Sequence, residues 1–123
     1  MERWEHEREI DGAQMRIGEL EREREEILEF DREVIRGRNE FLSQLERKRS
    51  CIRRMNDVSN NGMALKVAAT LQEEQNWAFE RKVTDSFEGA HMRAMMLLQN
   101  LENNIAEEQS LIEGHLDALA HEE

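Results

Sequence analysis

The chain has 123 residues, of which 37% are charged and 5% aromatic, with no proline and a formal net charge of −11 at pH 7. So much charge suits an extended helical protein better than a large globular core, and the negative balance disfavours binding to nucleic acid or to anionic membranes. No apolar run approaches the ~20 residues that span a bilayer, so stable membrane insertion is not expected.

The first arm of the chain, residues 3–56, has apolar side chains three and four positions apart, which is the pattern of a helix with one apolar face. One heptad position is apolar at both ends of the arm and charged in the middle: Ile10, Ile17, Arg24, Asp31, Arg38, Leu45 and Ile52. Through the charged part we expect the apolar stripe to move to the neighbouring pairs at 27/28, 34/35 and 41/42. A stripe broadened in this way faces more than one neighbour.

A polar segment, residues 57–62, interrupts this pattern. It closes with Asn60-Asn61-Gly62, and Asn and Gly tolerate the left-handed conformation that ends a helix. Two arms of nearly equal length around such a break are expected to fold back on each other as an antiparallel hairpin. The sequence therefore predicts a single all-α domain, a long antiparallel two-helix coiled-coil hairpin with helices at about 3–56 and 63–121. This hairpin could complete a bundle with a partner or with a second copy.

Folding the chain about residues 59 and 60 predicts the pairing of the two arms. Residue i then lies near residue 119 − i, which places Gly89 opposite Phe30. A missing side chain at Gly89 could make room for that ring; a local kink at the glycine is the alternative.

The second arm, residues 63–121, contains the sharpest local anomaly of the sequence. Between Ala90 and Leu98 the apolar side chains cover most of the helix circumference, yet the predicted pairing places this segment opposite the charged residues 21–26. A helix that is apolar nearly all round is buried on more than one side, so we expect a third helix to cover it. Arginine stems lying over the methionines are the alternative.

We therefore predict that a helical partner docks on this part of the second arm. Methionine adapts to helical partners, and aromatic side chains often anchor interfaces. Met95 and Leu98, three residues apart, are expected to share one docking face and to matter most. The predicted partner-binding residues are Trp77, Phe79, Met92, Met95, Met96 and Leu98.

Signals for catalysis and metal binding are weak. Glu88-Gly89-Ala90-His91 has the Glu-x-x-His spacing of di-iron helical bundles, but those sites need a second such motif. The four histidines (6, 91, 115 and 121) are expected on helix faces or ends, and the lone Cys51 is expected to be a reduced thiol. With no nucleotide-binding glycine loop, no cysteine pair and no nucleophile elbow, we expect a non-enzymatic protein with no cofactor and no metal.

The distribution of charge points to the ends of the hairpin. Basic residues cluster before the break, from Arg47 to Arg54, whereas no Lys or Arg follows Arg93. The hairpin would then have a basic turn end and an acidic open end. A solvated acidic face is one interpretation, and a basic partner at the open end is the other.

Two segments of the second arm, Leu71-Gln72-Glu73-Glu74-Gln75-Asn76-Trp77-Ala78-Phe79-Glu80-Arg81 and Leu101-Glu102-Asn103-Asn104-Ile105, carry a resemblance to a known family. They resemble the small α-helical proteins encoded beside LXG toxins of type VII secretion. The resemblance implies a chaperone or targeting factor that binds the toxin's N-terminal helical domain, located in the cytoplasm or co-exported with its partner. The chain has no Trp-x-Gly at the turn and no tyrosine for a Tyr-x-x-x-Asp/Glu tail, which favours an accessory role over carrying the export signal.

Two alternatives remain open. The layout is also similar to stalks and chaperones of type III secretion and flagellar export, although those are commonly more basic. The other alternative is a self-associating structural coiled coil, in which two copies form a four-helix bundle.

Overall fold

The computed structural model describes residues 1–58 and 62–122, and both stretches are helical. Helix α1 spans Arg3–Val58 and helix α2 spans Gly62–Glu122. Helix α1 thus continues past the expected end near residue 56, and residues 59–61 of the predicted turn lie outside the described residues. Neither helix, over the residues described, contains a stretch long and apolar enough to cross a membrane.

The first turn of α1 is capped by its own side chains. The backbone N–H of Glu2 donates to the Glu5 carboxylate at 2.8 Å, and the backbone N–H groups of Glu5 and His6 donate to the Glu2 carbonyl. A carboxylate in the first turn satisfies an N–H group that has no helical partner and lies at the positive end of the helix dipole. The helix therefore begins where its acidic residues are favourable.

Contacts divide the chain into two compact units. Unit 1 comprises Met1–Asp31 and Arg93–Glu123, and unit 2 comprises Arg32–Met92. In unit 1 the two helical segments run antiparallel, since residue 6 contacts residue 115 and residue 16 contacts residue 108. Its buried apolar side chains are Ala13, Ala94, Leu98, Leu101 and Ile105.

Unit 2 also pairs a segment of α1 with a segment of α2 in antiparallel direction. The Phe41 and Phe87 ring centroids are 6.2 Å apart, and Arg49 contacts Glu80. The pairing in both units confirms the predicted all-α helical hairpin. Whether this hairpin completes a bundle with a partner or a second copy stays a prediction.

The glycine that accommodates an aromatic ring is Gly37. A Cβ added there would lie 3.0 Å from Cε1 of Phe87, whereas among the described residues nothing comes within 4 Å of a Cβ added at Gly89. The predicted match of Gly89 with Phe30 is therefore wrong, and the Phe30 side chain is exposed. The reason is the register of the two helices. In unit 2 residue 37 pairs with residue 87, whereas the predicted pairing of i with 119 − i gives residue 82.

The core of α1 keeps one heptad phase through its charged middle. Core positions recur with three-and-four spacing from His6 to Leu45, and each is buried or half-buried, including Arg24, Asp31 and Arg38. Leu28 and Ile35 are half-buried beside this line, and Leu42 is exposed. Five of the six residues in the predicted pairs are thus half-buried, but the stripe also keeps the charged positions instead of leaving them. An arginine can occupy such a position because its apolar stem packs while its charged end reaches outward.

Candidate partner-binding surface

Helix α2 exposes three consecutive large apolar side chains within unit 1. Ala94 and Leu98 occupy core positions four residues apart and are buried. The three residues between them therefore project from the rest of the helix circumference. Met95, Met96 and Leu97 are 51%, 66% and 52% exposed, and we call these three residues the methionine surface.

The structure separates two residues that the sequence placed on one docking face. Met95 is half exposed, but Leu98 is only 7% exposed and belongs to the core of unit 1. The expectation that the segment from Ala90 to Leu98 is uncovered is therefore wrong for Ala94 and Leu98. Both side chains lie on the three-and-four line of α2 that faces its partner helix. Partner binding by the exposed residues stays a prediction.

The other predicted partner-binding residues belong to unit 2, where Trp77, Phe79 and Met92 are all exposed. The Arg81 guanidinium lies 5.3 Å from the centre of the Trp77 ring, a cation–π contact that holds the indole in place. The aromatic side chains of Trp77 and Phe79, two residues apart on α2, are thus both accessible.

Trp77 lines an open groove of about 510 Å³ in unit 2. The lining residues are Leu42, Leu45, Glu46, Arg49, Arg53, Trp77, Glu80, Arg81, Thr84 and Asp85. Glu80 is buried, and its carboxylate lies 3.4 Å from Arg49 and 3.8 Å from Lys48. These two cations of α1 compensate the charge of the buried Glu80 carboxylate on α2, and removing them would leave that charge buried without its partners.

Two polar contacts join the helices of unit 1. The Nδ1 atoms of His6 and His115 are 2.8 Å apart, and the rings meet edge to face with centroids 5.1 Å apart. Arg16 Nε donates to Glu108 Oε1 at 2.9 Å. This hydrogen bond to Glu108 raises the pKa of the Arg16 guanidinium above its ordinary value.

The histidine positions correct an expectation from the sequence. His6 is buried at the core of unit 1, and His91 and His115 are half-buried at core positions of α2; His121 alone of the four is exposed. These core histidines could be predicted from the sequence, because they continue the three-and-four spacing of the apolar residues on each helix. Glu80 and Glu108 continue the same spacing on α2 and could have been found by the same signal.

The Glu-x-x-His motif lies on α2 in unit 2. Within the described ranges, no three or more His, Cys, Asp or Glu residues are grouped so that they could hold a metal ion; Glu88 and His91 form no such group. Cys51 is exposed and forms no disulfide with another described residue. Large apolar side chains are exposed at Trp4, Met15 and Phe30 of α1, and at more positions of α2, the methionine surface among them.

Comparison of the chain with known protein families, with curated proteins and with solved structures found no match to any of them. The functional argument therefore rests on the exposed side chains of α2 and on the charges around them.

Proposed function

We propose that the chain is a non-enzymatic helical binding protein, a chaperone or targeting factor that packs against the N-terminal helical domain of a secreted toxin. The observation that carries this proposal is the exposure of Met95, Met96 and Leu97 on α2. Single exposed apolar residues are common on protein surfaces, whereas Met95, Met96 and Leu97 in succession expose apolar area around more than half of the helix circumference, and larger apolar areas usually mark an interface.

The chemistry of this surface favours a helical partner. Methionine is unbranched and flexible, so it adapts its shape to the side chains of a docked helix. The surface lies on a long helix rather than in an enclosed cavity, and a second helix can pack along it with its ridges in the grooves of α2. The exposed Trp77 and Phe79 of unit 2 supply aromatic side chains, which often contribute most of the energy of an interface.

The choice of a toxin domain as partner is supported by the resemblance to small proteins encoded beside LXG toxins. Of the two segments that carry it, the second contains Leu101 and Ile105, both buried in unit 1. These residues support the helical pairing, and the exposed side chains near them remain available to the toxin. The side chains of residues 71–76 in the first segment lie outside the described residues.

Co-expression with a toxin domain tests the proposal. The reading frames beside the gene are searched for an LXG toxin, and its N-terminal helical domain is produced together with the tagged chain. We expect the two proteins to co-purify as a complex of defined stoichiometry. Separate elution of the two, with the chain alone forming a dimer, would contradict the proposal and favour the structural coiled coil.

Two variants test whether the toxin domain binds at the methionine surface. Replacing Met95 and Met96 by Ser should weaken the complex about tenfold or more, because two large apolar side chains are lost from the contact. The matched control replaces Met15, an exposed methionine of α1 in unit 1, by Ser. If both variants bind the toxin domain like the unaltered chain, the interface lies elsewhere.

A further inference from the structure

We infer that the helix docking on the methionine surface is a basic amphipathic helix, with one apolar face flanked by Lys and Arg. The inference rests on the proposed function, since it takes α2 in unit 1 as the docking surface, and it adds the chemistry of the partner. Two independent observations lead to it: the exposed apolar side chains at residues 95–97 and the distribution of charge between the units.

The net negative charge of the protein arises in unit 1, because unit 2 has a small net positive charge. The sequence ranges of unit 1 contain 19 Asp and Glu against 6 Lys and Arg, a net charge of −13. Those of unit 2 contain 9 against 11, a net charge of +2. A partner that approaches unit 1 therefore meets a negative potential, which attracts cationic surfaces and repels anionic ones.

Acidic and apolar side chains share the outward side of α2 beyond the methionine surface. Glu102 follows Met95 by seven residues, so the two lie on the same face of the helix, and both are exposed. Leu111, Leu116 and Asp117 continue the exposed surface toward the end of the helix, and no Lys or Arg occurs after Arg93. A helix of about 20 residues, roughly 30 Å long, would cover this stretch.

A basic amphipathic helix satisfies both features of this surface. Its apolar face would bury the methionine and leucine side chains, and its flanking Lys and Arg would lie near Glu102 and Asp117. A second copy of the chain is the weaker occupant, because pairing unit 1 with itself brings together two surfaces of net charge −13. An acidic or uncharged helix would gain the apolar contact without the electrostatic attraction.

Binding of designed peptides to the full chain tests the inference. The probe is a fluorescent amphipathic peptide of about 20 residues built from Leu and Lys; the comparison peptide carries Glu in place of Lys on the same apolar pattern. We expect the Leu/Lys peptide to bind at least about tenfold more tightly by fluorescence anisotropy at low salt, with the difference shrinking as salt screens the charges.

Two variants and their controls separate docking from general charge attraction. Replacing Met96 and Leu97 by Ser should weaken binding of the basic peptide about tenfold, whereas Met15→Ser should leave it unchanged. Replacing Glu102 and Asp117 by Gln and Asn should weaken it about two- to fivefold. Replacing Glu40 and Glu46, two exposed residues of α1 in unit 2, by Gln removes the same charge from the other helix and should weaken binding less.

Four outcomes of these experiments would overturn the inference. Equal binding of both peptides, or binding that the Met96 and Leu97 variant does not affect, would show that the surface does not select a basic helix. Binding of neither peptide, or sedimentation showing only self-association of the chain, would do the same. The proposed function is judged separately: a toxin domain that co-purifies with the chain although the basic peptide does not bind preserves that function and removes only this inference.

Discussion

Leu98 and Met95 are three residues apart on one helix and have opposite environments. Leu98 is buried against α1, whereas Met95 is half exposed. Leu98→Glu should lower the free energy of unfolding by about 3–5 kcal/mol, because it places an unpaired charge in the core of unit 1. Met95→Glu should change it by less than about 0.5 kcal/mol, as exposed substitutions usually do. Urea unfolding followed by circular dichroism measures both, and equal losses would show that Met95 is also part of the core.

Gly37 and Gly89 are two glycines with different surroundings, so their substitution by Ala should have different effects on stability. Both lie inside helices, where Ala is favoured over Gly by about 1 kcal/mol. Gly89→Ala should stabilise by about that amount, because no described atom lies within 4 Å of the new Cβ. Gly37→Ala should stabilise less or destabilise, because its Cβ would be 3.0 Å from the Phe87 ring, which must move.

Chemical denaturation of the two alanine variants decides this prediction, and a third variant tests its cause. Adding Phe87→Leu to Gly37→Ala should show favourable coupling in a double-mutant cycle, because the smaller side chain removes the close contact. Equal stabilisation by both alanines would mean that the Phe87 ring moves aside at no cost.

At the scale of the helices, the contact between His6 and His115 links α1 to α2 near the start of α1. One ring must be neutral to accept the hydrogen bond, because a protonated imidazole has two donors and no acceptor. The contact therefore joins the Nδ1–H of one ring to the bare Nδ1 of the other across the two helices.

Replacing His115 by Ala should lower the free energy of unfolding by about 1 kcal/mol, because the buried His6 loses this hydrogen bond. The matched control is His121→Ala, which alters the exposed histidine of α2 and should change stability by less than about 0.5 kcal/mol. Urea unfolding at one pH measures both variants. Equal stability of the two variants would show that the histidine contact does not contribute.

Heptad spacing explains how much of the helical interface could be predicted. The core at Leu101 and Ile105 follows from apolar periodicity, and the sequence places both of them in the second helix. Asp31 and Arg38 lie on the heptad phase of α1 and could be placed by it, but whether such polar side chains are buried depends on what the opposite helix presents. The Nε of Arg38 is buried with no hydrogen-bond partner among the described residues, which periodicity cannot reveal.

At the scale of the whole molecule, the unequal charge of the two units makes stability depend on salt. Unit 1 has a net charge of −13, and like charges repel within it. Raising NaCl from about 20 mM to about 500 mM should therefore raise the melting temperature by a few degrees, because salt shortens the range of this repulsion. Calorimetry at several salt concentrations measures the effect, and a melting temperature that falls with salt would show that attractive ion pairs dominate.

The candidate surface was also only partly predictable. Met95 and Met96 were found from the excess of apolar residues around one stretch of α2, and both are exposed. Leu98 was grouped with them because it is three residues from Met95, but that spacing does not decide which side of the helix meets α1. Leu97 is absent from the predicted binding residues although its side chain is exposed, because only the phase of the core shows that it lies beside the buried line and not on it.

The sequence by itself determined that the protein is two long helices, since periodicity, the absence of proline and the polar break are properties of neighbouring residues. It also determined the charge difference between the two parts of the chain. Tertiary structure alone decided that Gly37 faces the Phe87 ring, that Asp31 is buried and that Leu98 lies in the core. These features depend on register. Register is set by the sum of all contacts between segments far apart in the chain, and a shift of a few residues changes every partner while leaving each helix intact.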